Sequence, residues 1–260
     1  MNRLKTVAVS ALALVASSAA ASADMAVGLV GAKTLVTIDA KSGKAMKTVE
    51  VKGVDRLLGI DVRPANNLLY GIAADGSIFT IDPATGEATA AGKLEKTIAG
   101  DAAIVDFNPA ADKLRFMGMD GTNLRADVDT GKVTTDGSLA FEPDDPNTGK
   151  KPAVVAAAYS NSFGKPEKTA MYDIDAALGA LIRQTKPNDG TLKAIGALGV
   201  GKAKDFAFDI HTTADGKNTA WLIADNKLHT VDVETGKATV LGPVAGAPGA
   251  IRDIAVLPSS

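Results

Sequence analysis

The chain has 260 residues, no cysteine, 46% hydrophobic and 22% charged side chains, and a formal net charge of -2. Zero cysteines exclude disulfides, thiolate zinc sites, iron–sulfur clusters and cysteine nucleophiles. The balance of 28 basic against 30 acidic residues leaves no basic footprint for nucleic acid, and the aliphatic content is that of a folded chain.

Residues 1–23 place Arg3 and Lys5 ahead of an apolar run from Val7 to Val15 and end on Ala21-Ser22-Ala23. That is the pattern of a secretory signal peptide cleaved before Asp24. The run is far shorter than the roughly 20 residues that span a bilayer, and no later stretch reaches that length. The expectation is a mature chain of residues 24–260 carrying -4 once the two cations are lost, exported from a bacterial cell to the periplasm or the medium. No membrane span is expected in it.

From residue 35 a short module recurs: an aliphatic strand ending in Asp, a turn closing with Gly, and a Thr/Val-rich strand. The copies are LVTIDAKSGKAMKTV (35–49), IFTIDPATGEATAAG (78–92), LRADVDTGKVTTDG (124–137) and LHTVDVETGKATVLG (228–242), with a diverged MYDIDAALGALIRQ at 171–184. Their aspartates, Asp39, Asp82, Asp127, Asp175 and Asp232, are 43, 45, 48 and 57 residues apart. Pairs of candidate inner strands precede the copies at 57–77, 103–122 and 206–227, with period-two alternation broken by D-G, D-N and T-G turns. Four strands in about 45 residues is the signature of a propeller blade. Residues 250–256 form a first strand with nothing after it, and residues 25–39 supply a second and third with nothing before them. The expected fold is therefore all-β: a single five-bladed propeller of four-stranded antiparallel blades, closed by pairing the two ends. Six blades are the alternative if 137–203 holds two short ones. A solenoid is a weaker rival, lacking capping elements.

The innermost strands carry Asp61, Asp106, Asp209 and Asp253 at matched positions, with Ala158 in the remaining repeat. A carboxylate ring around an axis offers the oxygens a hard cation such as calcium requires. The blander reading, preferred here, is that each carboxylate accepts backbone N–H bonds and braces neighbouring blades. The outer-turn aspartates are read as Asx turns. A second polar group comprises Arg63, Asn108, Arg115, Asn123 and Arg125, joined by Asn188 in the turn Lys186-Pro187-Asn188-Asp189-Gly190. Arginine's fixed donors suit anions or carboxylates, so these residues are candidates for binding a ligand, against the reading that they stitch blades together. His211 shares the side of its strand with Asp209, and His229 is read as sheet surface. Neither completes a catalytic constellation: no G-x-S-x-G elbow, P-loop or dinucleotide fingerprint is present.

The motifs G-I-D-V-R-P (59–64), L-Y-G-I (69–72), D-F-N-P (106–109), N-L-R (123–125), A-Y-S-N-S (158–162), Y-D-I-D (172–175) and P-N-D-G-T-L (187–192) together resemble a bacterial family, DUF4394, over nearly the whole mature chain. Asp127-Val128 departs from the Asn-Pro that the family tends to have. The resemblance implies a secreted or periplasmic propeller-like protein and brings no catalytic residues. Two functional classes follow. One is a monomeric, non-enzymatic scaffold holding a small ligand, a glycan or a protein, with no cofactor. The other is a calcium-assisted hydrolase or lactonase with the metal in the axial opening.

Overall fold

The computed structural model describes residues 25–258; the proposed signal peptide and its cleavage point lie outside the described residues. Strands β1 (Met25–Val30), β2 (Thr34–Asp39) and β3 (Lys44–Glu50) form most of blade one. Blade two is β4 (Leu57–Arg63), β5 (Leu68–Ala73), β6 (Ser77–Ile81) and β7 (Ala88–Lys93). Blade three is β8 (Ile104–Asn108), β9 (Lys113–Met117), β10 (Asn123–Ala126) and β11 (Val133–Thr135). A short β12 (Ala140–Phe141) then runs parallel to the outer edge of blade four, which is β13 (Val154–Tyr159), β14 (Met171–Asp175), β15 (Ala180–Lys186) and β16 (Thr191–Ala197). Blade five is β17 (Phe206–Thr212), β18 (Asn218–Ala224), β19 (Lys227–Val231) and β20 (Ala238–Pro243). The last strand, β21 (Ile251–Val256), returns to pair antiparallel with β1 and becomes the innermost strand of blade one.

The five-bladed propeller closed by its own ends is thus present. The segment 137–203 holds one blade, not two, and its extra length forms β12 and the irregular stretch after it. That stretch is tied along the blade's edge by Asp145, whose Oδ2 accepts from the Ala194 N–H at 2.7 Å.

The hydrophobic core is distributed among the five seams between blades. Leu58, Tyr70 and Ile72 of blade two meet Val105, Phe107 and Phe116 of blade three in one such cluster, and Ala26, Val36 and Ile38 of blade one meet Trp221 and Ile223 of blade five in another. Inner strands are therefore covered on both faces, and β17 is buried along its whole length. His229 is buried too, not sheet surface as its alternation suggested. It shares the side of β19 with Val231, which packs toward blade four.

The repeated outer turn also joins blades. Asp127 Oδ1 accepts from the Asp129 and Thr130 N–H groups at 3.0 and 3.2 Å, an Asx turn as expected. Gly131 closes it at φ 76°, and its carbonyl accepts from the Glu95 N–H of the neighbouring blade at 2.9 Å. A Cβ at Gly131 would lie 2.1 Å from the Lys93 carbonyl oxygen, so only glycine fits this approach.

Candidate functional site

Four of the five seams are bridged at the axis by a first-strand aspartate. Asp61 Oδ2 accepts from Phe107 N–H at 2.6 Å, Asp106 Oδ1 from Tyr159 at 2.9 Å, Asp209 Oδ2 from Val256 at 2.6 Å, and Asp253 Oδ2 from Ile60 at 2.8 Å. Ala158 leaves the seam between blades four and five without one. There Ser162 takes over, its N–H donating to Thr212 Oγ1 at 2.8 Å and its hydroxyl to the Ile210 carbonyl at 2.9 Å. The repeat thus places a blade-bracing acceptor at four of the five seams, and the one missing copy is compensated by a loop.

The same carboxylates converge at the axis. Oxygens of Asp61, Asp106 and Asp209 lie within 4.8 Å of one another, all three residues being buried. Asp253 is not among them; its donor, Ile60, precedes Asp61 in β4, whereas the donor to Asp61, Phe107, follows Asp106 in β8. Asp61 and Asp209 also accept the N–H of their own following residue through Oδ1, at 2.7 and 2.6 Å. Asp106 differs in that its second oxygen takes no backbone amide.

Burial governs how these groups ionise. It pushes Asp61 well above the usual carboxylate range, with the nearby Asp209 charge adding to the rise. It raises Asp106 likewise, reinforced by Asp61 and Asp209. Asp209 is pushed up to about 6 by burial, against the backbone bonds that favour its anion, and Asp253 to about 7.

The three carboxylates form the floor of a cavity of about 340 Å³ at one end of the axis. Its walls are Val62, Pro64, Phe107, Phe163, Val256 and Pro258, with Tyr159, His211 and the 212–214 segment completing the rim. Phe163 is 56% exposed and reaches over this mouth from the loop after β13. No lysine or arginine lines the cavity among the described residues.

The arginine group sits elsewhere. Arg63 spans blades two and three, binding Asp112 through Nε and Nη2 at 2.8 and 2.7 Å and Asp129 through Nη1 and Nη2 at 2.7 Å each. Arg115 is buried and donates to Tyr159 Oη (3.2 Å), Asn123 Oδ1 (2.9 Å), Asp136 Oδ2 (2.7 Å) and Asn188 Oδ1 (2.9 Å). Asn123 holds the Gly137 and Pro187 carbonyls through Nδ2, and Arg125 pairs with Asp136 at 3.1 Å. Asn108 accepts two N–H bonds of its own turn and, with Asn188, lines a second, open cavity of about 460 Å³ beside Arg183 and Lys186. The structure thus gathers Arg115, Asn123, Arg125 and Asn188 around Asp136, whereas Arg63 braces a different seam.

Sequence reasoning did not single out Phe163, Ser162 or Tyr159 for the axial mouth. Phe163 and Ser162 occupy a segment outside the repeat, so periodicity carries no signal for them. Tyr159 and Ser162 do fall within A-Y-S-N-S.

A family model described as "Domain of unknown function (DUF4394)" matches residues 34–255. The chain belongs to the DUF4394 family. No curated protein matches this DUF4394 chain. Among solved structures it is similar to virginiamycin B lyase from Staphylococcus aureus, at 13% identity over 87% of this chain and 71% of that one, with a TM-score of 0.45. It is similar to a protein of unknown function from Bacteroides caccae at 10% identity, covering 90% and 99% of the two chains, with a TM-score of 0.44. A luciferin-regenerating enzyme is similar at 12% identity over 85% and 78%, with a TM-score of 0.46. Among the described residues no helix is long and apolar enough to cross a membrane.

Proposed function

We propose that this DUF4394 chain is an exported, monomeric, non-catalytic binding propeller whose ligand (a small molecule, a glycan or the end of a protein chain) seats in the axial mouth. The observation that carries this reading is the cavity of about 340 Å³, which joins apolar walls to a polar floor as ligand sites do. The hydroxyls around it favour binding over chemistry. Ser162 donates to the Ile210 carbonyl, Thr212 to Asn218 Oδ1 at 2.7 Å, and Tyr159 accepts from Arg115, so none is poised as a nucleophile. A ligand-class array probed with the wild-type protein and with Ala214→Trp, which plugs the rim from an exposed turn, tests it. Binding lost in the plugged variant at an unchanged melting temperature is expected. Binding that survives the plug, or turnover of the bound compound, overturns the reading.

The convergence of Asp61, Asp106 and Asp209 within 4.8 Å favours a second reading, a calcium-assisted hydrolase or lactonase. Against it, calcium takes six to eight oxygens, and the cluster offers one ligand atom from each of three carboxylates. Elemental analysis of natively purified protein, with melts before and after chelator, separates the two. A metal-free sample with an unchanged melt removes the calcium reading.

A further inference from the structure

Resting on the axial mouth as the ligand site, we propose that the ligand is an organic cation: a primary ammonium seated among Asp61, Asp106 and Asp209, with an apolar body against Phe107, Phe163 and Pro258. Size is the first argument. About 340 Å³ has room for several waters or one small organic molecule, more than a lone inorganic ion fills.

The floor matches an ammonium in number. Three acceptors at about 2.8 Å in tetrahedral directions around one nitrogen lie about 4.6 Å apart, and oxygens of the three carboxylates, all within 4.8 Å of one another, are close enough to converge on one nitrogen. An ammonium has three N–H donors and needs three acceptors. Each carboxylate oxygen keeps a lone pair beyond its backbone bond, and Asp106, 4% exposed, has an oxygen that no backbone amide occupies. Charge is the third argument. Among the described residues, three buried carboxylates face a cavity lined by no lysine or arginine and by one imidazole, His211, so a cationic guest adds to the positive charge that faces them. Burial and mutual repulsion hold Asp61 and Asp106 toward their protonated forms, so a bound ammonium expels protons on entry.

Calorimetric titration of the purified protein with benzylamine and hexylamine, against benzyl alcohol and hexan-1-ol, tests the class, with calcium chloride as a third arm. Amines are expected to bind at least tenfold more tightly than their alcohols, to release protons, and to lose at least tenfold in Asp106→Asn. Phe163→Ala, on an exposed loop, is expected to weaken benzylamine at least threefold, which keeps the proposal testable if Asp106→Asn does not fold. Alcohols binding as tightly as amines, calcium binding where no amine binds, or variants that bind amines unchanged each overturn it. If amines fail while another ligand class is lost in Ala214→Trp, the mouth remains the ligand site and only the cation falls. If that plug affects no ligand, the mouth falls as well.

Discussion

The Asp209 carboxylate accepts the backbone N–H of Val256 at 2.6 Å, tying the first strand of blade five to the strand that closes the ring. Its other oxygen accepts the Ile210 N–H at 2.6 Å. Removing the acceptor leaves buried amides unpaired, at a cost of about 1–3 kcal/mol. Asp209→Ala is therefore expected to lose about that much stability in urea unfolding, while Asp209→Asn, which keeps one of the two acceptors, is expected to lose less. Equal losses in the two variants would show that the bond to Val256 does not hold the seam.

Stability should fall as pH rises from mildly acid to mildly alkaline. A carboxyl raised on folding binds its proton more tightly in the native state, so its contribution is complete below the unfolded value of about 4 and is lost as pH climbs through the folded value. Those values are about 6 for Asp209, about 7 for Asp253 and about 8 for Asp173. Burial raises Asp173 against the opposing Gln184 amide, which donates to both its oxygens, and against the Arg115 charge; Asp175 adds to the rise. Turn aspartates such as Asp39 and Asp82, lowered by the Ser42 and Ala84 amides, act only below about pH 4. The melting temperature is expected to be higher at pH 5 than at pH 8, and Asp173→Asn to flatten that slope. A melt that rises across this window contradicts the assignment.

Arg115 is the buried hub of a network, and Arg125 its exposed accessory. Arg115→Ala leaves Asp136, whose side chain is 5% exposed, with Arg125 alone, and strips the donors from Asn123, Asn188 and Tyr159. Breaking a buried pair of this kind costs about 3–5 kcal/mol. Arg125→Ala, at a side chain 35% exposed, is expected to cost no more than about 1 kcal/mol. Chemical denaturation of both variants checks the ratio; comparable losses would mean that Asp136 is held mainly from the surface.

Two glycines with similar backbone and different surroundings separate strain from contact. Gly31 has φ 58° and open space where a Cβ would go, whereas at Gly131 that atom would meet the Lys93 carbonyl. Gly31→Ala is expected to cost roughly 1–2 kcal/mol from the left-handed conformation alone. Gly131→Ala should cost clearly more, because a backbone carbonyl of the next blade must move. Equal melting temperatures for the two variants would deny the outer turn a part in joining blades.

The repeat made much of this legible. Four matched aspartates and one alanine follow from the period, and so does the compensated seam as the place where the pattern breaks. That Asp253 parts from the other three did not, because the stagger between first strands of neighbouring blades leaves no mark in either strand's own alternation. Asp136 escaped for a related reason: it lies inside the recurring module, where the matching residues are Ala91 and Leu241, and only the folded chain brings it to Arg115. His229 was misread because alternation names a side of the strand but not what covers it.

The strand β21 sits between blades as well as within one. Beyond its ladder with β1, Arg252 reaches the Gly31 and Leu58 carbonyls at 2.8 Å each, and Asp253 holds Ile60. Blade one therefore lacks its axial strand until β21 has left the ribosome, and β1 waits with an open edge while the four blades between them are made. Order of synthesis and order of completion are opposed: the earliest blade begun is the last one finished. Contacts of this sequence separation form slowly, and an edge left open meanwhile is where a nascent chain is most exposed to pairing with a neighbour.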